Sequence, residues 1–102
     1  MKILHLTLKK KWFDMILSGE KKEEYRECKP YWFSRLAGWY GKGFKDYDVI
    51  NFRNGYNATS PSMMVELTGI RRGIGNTEWG APENEPVFIL SLGEVLESSG
   101  TS

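Results

Sequence analysis

Between residues 2 and 8 the chain alternates, with Leu4, Leu6 and Leu8 on one side and His5 and Thr7 on the other, which predicts a half-buried strand. The period then lengthens. Over residues 9–18, Leu8, Trp12, Met15 and Ile16 share one helical face, while Lys9, Lys10 and Asp14 stay outside. Gly19 ends that helix, since glycine readily takes the left-handed conformation that follows a last turn. Residues 20–28 read as a charged strand, broken at Lys29-Pro30 because proline has no ladder hydrogen to give. A short helix is expected over residues 31–36, opening beside Pro30. Gly38, Gly41 and Gly43 then mark a loop. Strands are expected at residues 47–53, closed by the turn pair Asn54-Gly55, and at residues 63–70, where Val65 and Leu67 oppose Glu66 and Thr68. Residues 71–86, rich in Gly, Asn and Pro, read as a long irregular loop. A final strand covers residues 87–92 and runs on towards Leu96, leaving residues 98–102 as a flexible tail.

Five short strands and two early helices, with no βαβ rhythm, define an α+β class. The simplest closure is a small mixed or antiparallel β-barrel over residues 1–97, which hides strand edges. At 102 residues the chain is one domain. No apolar run is long enough to span a bilayer, and the N-terminus turns polar too early for a signal peptide, so a cytoplasmic location without membrane contact is expected. A single cysteine, Cys28, cannot pair within the chain, and one histidine cannot build a metal cage; neither a metal nor a cofactor is expected. The net charge of +1 hides an asymmetry: residues 1–56 carry 12 basic and 7 acidic side chains, residues 57–102 carry 2 and 6. That fits a local anionic partner, not the uniformly basic surface of a dedicated duplex binder.

The densest chemistry lies in the run from Gly19 to Arg26, of pattern G-x-K-x-x-E-x-R. Glu24 and Arg26, two apart on a strand, leave the same face. Lys21 has the wrong parity and joins them only if the turn at Gly19-Glu20 swings it round. Two cations would then flank one carboxylate and leave a positive spot suited to a phosphate, a carboxylate or a polarised carbonyl. The plain alternative is an exposed ion pair on a solvated face. Glu66 either points to water or enters a barrel mouth, where it would serve as acid or base. Cys28 beside Lys29 has no nucleophile signature around it. Arg71-Arg72 among glycines offers a backbone contact for RNA, without the spacing of a phosphate loop. Tyr31, Trp32, Phe33, Trp39, Tyr40, Phe44 and Trp79 are candidates for base stacking, with core packing as the competing use.

With the motif Gly19, Lys21, Glu24 and Arg26 matched at every fixed position, the chain resembles the ASCH family, small barrels related to PUA domains. The resemblance covers nearly the whole chain. The segments Asn54-Gly55-Tyr56, Glu78-Trp79-Gly80-Ala81 and Leu92-Gly93-Glu94 are similar to small stand-alone phage and bacterial members. It implies a PUA-like barrel whose cleft binds single-stranded RNA or a nucleotide or nucleoside. Lys21 and Arg26 would meet phosphate or carbonyl oxygen, Glu24 would hold both cations, and Glu66 would read a base edge. Tyr56 or Trp79 would stack, with Arg53 and Arg71 at the rim. One branch of the family hydrolyses N4-acetylcytidine with a lysine, a threonine and a glutamate. Lys21 and Glu66 match two of these, but the threonine position holds Glu24, and a carboxylate cannot replace a hydroxyl nucleophile without changing the mechanism. The alternative expectation is therefore an amidohydrolase or ribonuclease in which Lys21, Glu24 and Glu66 are catalytic and water is the nucleophile. A protein-interaction module using the aromatic loop is a third.

Overall fold

The computed structural model describes residues 1–38 and 43–100. Trp39 and Tyr40, two of the stacking candidates, lie outside them. Strand β1 (Ile3–Thr7) leads into helix α1 (Lys10–Leu17), then β2 (Glu23–Glu27), helix α2 (Pro30–Leu36), β3 (Val49–Arg53) and β4 (Ser62–Ile74). A 3-10 turn at Thr77–Trp79 precedes β5 (Pro86–Ser99). The strands form one mixed sheet in the order β1-β3-β4-β5-β2, with β1 parallel to β3 and every other pair antiparallel, curled into a half-barrel.

The concave side carries the core. Leu4 and Leu6 of β1, Ile50 and Phe52 of β3, Val65 and Leu67 of β4, and Phe88 and Leu90 of β5 pack there against Phe13 and Ile16 of α1 and Leu36 of α2. Period-2 alternation puts these residues on one face. The helices supply the second layer that a single sheet needs to bury that face.

Two boundaries differ most from the sequence reading. Arg71 to Ile74 continue β4, pairing with Pro86 to Ile89, so only residues 75–85 are irregular. Backbone hydrogen bonds to β5 hold this arm, and they do not depend on the glycines and arginines that obscured its period. Likewise β5 runs to Ser99, which pairs with Ser62. Register shifts between Met64 and Gly69 bend the β4–β5 ribbon and switch its parity. Val65 and Leu67, which lie among the shifts, point inward; beyond them Ile70 and Arg72 lie opposite the core residues Leu90 and Phe88, and Arg71 turns to the convex side.

Since β1 and β2 are the two ends of the sheet, the half-barrel has a seam between them, with no ladder across it among the described residues. The candidate site occupies that seam.

Candidate functional site

Glu24 and Arg26 pair with Leu90 and Phe88 of β5, so both side chains enter the concave side near the seam. Lys21 reaches them by the anticipated turn. Gly19 takes a φ of 85°, and the Lys21 amide donates to the Met15 carbonyl at 2.9 Å, folding the chain back against α1. The ammonium is then enclosed, with Lys21 only 1% exposed and Glu24 4%. Lys21 Nζ lies 3.1 Å from Glu24 Oε1 and donates to the Trp79 carbonyl. The rings of Trp12 and Tyr25 stand 5.0 and 4.8 Å from it. Burial lowers the Lys21 pKa; attraction to Glu24 opposes that, and the nearby Arg26 adds to it.

Arg26 bridges the seam. Its Nη1 donates to Glu24 Oε2 and, at 2.7 Å, to the Tyr25 carbonyl of β2. Its Nη2 donates at 3.2 Å to the Thr7 carbonyl of β1. The guanidinium carbon sits 5.2 Å from the Trp32 ring centroid. One side chain thus ties the sheet's two ends, doing in part what a missing ladder would do. Among the described residues, Arg26 Nε has no acceptor.

Beside this bridge opens a cleft of about 450 Å³. Residues 5–8 of β1 and its end form one wall, Glu24 and Arg26 the floor, and Trp12, Tyr31, Trp32 and Tyr56 the aromatic surround, with Lys9 at the mouth. Tyr56 is 93% exposed. Its turn is firmly held: Asn54 donates through Nδ2 to the Leu8 carbonyl at 3.0 Å, and its amide bonds to the Pro61 carbonyl at 2.9 Å. A larger hollow of about 980 Å³, beside Phe33, Phe44 and Tyr47, includes none of Lys21, Glu24 or Arg26. Size alone does not make a site, and the cleft with convergent charge is the better candidate.

The other anticipated residues are dispersed. Glu66 is exposed on the convex side, between the inward-facing Val65 and Leu67, and lies against Gly93. Strand parity, which permitted either outcome, sends it to water, away from the other three. Arg53 donates to the Asn57 carbonyl at 3.1 Å and buttresses the Tyr56 turn. Arg71, moved outward by the register shifts, donates to Glu23 Oε2 at 2.7 Å and Ser91 Oγ at 2.8 Å. The Trp79 ring packs on Tyr25, Ala81, Val87 and Ile89 on the convex side, so its carbonyl, not its ring, meets Lys21.

A second network secures that convex loop. Tyr25 donates its hydroxyl hydrogen to Glu23 Oε1 at 2.7 Å and accepts the Asn76 amide at 3.0 Å. Burial raises the Tyr25 pKa to about 12, a shift the Asn76 amide reduces and Glu23 reinforces. For Glu23, partial burial works upward, but the hydrogen bonds from Arg71 and Tyr25 outweigh it and hold the carboxyl below its ordinary range. Trp12 and Lys9 were the residues missed. Their helical spacing marked Trp12 as core and Lys9 as solvated, and nothing local reveals that α1 begins at the rim of a cleft.

Among the described residues no cluster of His, Cys, Asp or Glu has the makings of a metal site, and no helix is long and apolar enough to cross a membrane. No protein-family model, curated protein or solved structure matches the chain.

Proposed function

We propose that this protein binds a nucleotide, or one nucleotide of a single-stranded RNA, in the seam cleft. The observation that carries the reading is the composition of that cleft: about 450 Å³ of space, aromatic rings on several sides, and an arginine with a donor to spare beside a buried carboxylate. Aromatic faces suit a base of any identity, and a guanidinium with Lys9 nearby suits its phosphate. The resemblance of the Gly19–Arg26 motif to ASCH domains points the same way, as does the excess of basic residues before residue 57. A hydrolytic role is not favoured, because it needs Lys21 and Glu66 at one point, whereas Lys21 is enclosed against Glu24 and Glu66 is exposed on the convex side. Lys21 acts here as a strut under Glu24, not as a ligand contact.

Tyr56 supplies the test. Its ring is almost wholly exposed, so Tyr56→Ala leaves the melting temperature within about 2 °C, surface changes being worth under about 0.5 kcal/mol. Loss of one stacking partner costs about 1–3 kcal/mol, or roughly 5- to 150-fold in affinity. Titration calorimetry with the four ribonucleoside 5′-monophosphates and a short single-stranded RNA reads both outcomes. The proposal falls if none of these probes binds, or if the variant binds as tightly as the wild type.

A further inference from the structure

The β1 backbone has one side without a partner strand. Lys2 accepts at its carbonyl from the Asp48 and Val49 amides, and the Leu8 amide donates to the Arg53 carbonyl, so even-numbered backbone groups of β1 face β3. In an extended strand the odd-numbered groups then face the opposite way, into the seam. The Thr7 carbonyl confirms the phase by accepting from Arg26 Nη2. The N–H and C=O of His5 and the N–H of Thr7 meet no partner among the described residues, and both residues line the cleft.

Resting on the nucleotide-binding reading above, we infer that the free edge of β1 at His5 holds the base. The N–H and C=O of one extended residue leave on the same side, as a donor next to an acceptor. Every nucleobase has an edge with an acceptor beside a donor, and such an edge completes both bonds at once. Unpaired strand edges take up complementary hydrogen-bonding groups readily. An added peptide strand is the poorer occupant. The Arg26 head already fills the seam at the Thr7 carbonyl, leaving a gap one residue long inside the cleft, whereas a base entering between Trp32, Trp12 and Tyr56 needs no more than that. The backbone pair then holds a base without choosing among the four, and side-chain substitutions along β1 alter this contact little.

Amide hydrogen exchange by NMR tests this residue by residue. The protein is measured free and saturated with whichever of the four ribonucleoside 5′-monophosphates binds or, if none does, with the short single-stranded RNA. His5 N–H, exposed in the free protein, is expected to slow tenfold or more on saturation, while the Leu4 and Leu6 amides, already held in the β3 ladder, do not change. A second variant, His5→Pro, deletes the donor on the side where an edge strand tolerates proline, and it should lose at least tenfold in affinity with its circular dichroism intact. If neither a nucleotide nor the short RNA binds, the functional reading itself fails. If one binds while the His5 amide exchanges as fast as before, the base is held elsewhere and only this inference is overturned. Should His5→Pro not fold, the exchange measurement on the unaltered chain still decides.

Discussion

Replacing Lys21 by methionine keeps the length and apolar stem of the side chain and deletes only the ammonium. In the folded protein that ammonium partners Glu24 Oε1 and the Trp79 carbonyl, both away from water. Without it, the carboxylate of Glu24, a residue only 4% exposed, keeps a single charged partner, Arg26 on Oε2. Breaking a buried ion pair from one side costs about 3–5 kcal/mol, because the remaining charge is stranded. Arg26 retains half of the carboxylate's coordination, which places the loss near the lower figure, about 3 kcal/mol. That is a large part of the ~5–15 kcal/mol that holds a domain together. At about 4 °C per kcal/mol for a chain of this size, the melting temperature falls by roughly 12 °C. Urea unfolding followed by circular dichroism measures the loss, with an unchanged slope showing that the same surface is exposed. The double variant Lys21→Met/Glu24→Leu removes the stranded charge as well and should recover at least about 1 kcal/mol of it. A melting point within about 2 °C of wild type for Lys21→Met would refute the view that this lysine is a buried strut, and would return it to the surface role of an ordinary ion pair.

Three further outcomes follow from the convex network and the close-packed glycines. Glu23 has a lowered folded pKa, so its unfolded form binds protons first as pH falls; the stability it contributes above about pH 4.5 is lost on acidification through the folded value, and Arg71→Ala should flatten that part of the acid unfolding curve. Tyr25 has a raised folded pKa of about 12 against an unfolded value of about 10, so its contribution is complete below pH 10 and disappears between pH 10 and 12. Tyr25→Phe should remove this alkaline loss, measured as the difference between the two stability profiles. Gly80 combines a φ of 99° with a position where a Cβ would come within 2.9 Å of the Trp12 ring, so Gly80→Ala should cost about 1–3 kcal/mol in chemical denaturation; an unchanged midpoint would show that the loop is not held against Trp12 as described.

Much of the fold was legible because it is written in local periods. Alternation along residues 2–8 and 47–53 announced β1 and β3, the lengthened period announced α1, and Pro30 marked the start of α2. The obscured stretches were those held by partners instead of pattern. Arg71 to Ile74 have no useful alternation, yet they are strand because the backbone of β5 lies beside them. Motif and charge point Glu66 and Arg71 to the site, but strand parity turns Glu66 outward, and register shifts some residues away turn Arg71 outward. Trp79, set in what read as a loop free to meet a ligand, has a half-apolar wall of Tyr25, Val87 and Ile89 to cover and packs there.

The sequence by itself determined which residues alternate, where the helices start and stop, and that Lys21, Glu24 and Arg26 are close enough along the chain to meet. These follow from backbone geometry acting over a few residues. Only the tertiary structure decided that the sheet stays open between β1 and β2, that Arg26 spans the opening to the Thr7 carbonyl, and that a cleft with aromatic walls forms beside it. Strands brought together in the order β1-β3-β4-β5-β2 leave two ends facing each other, and that order is set by long-range pairing that no local period records.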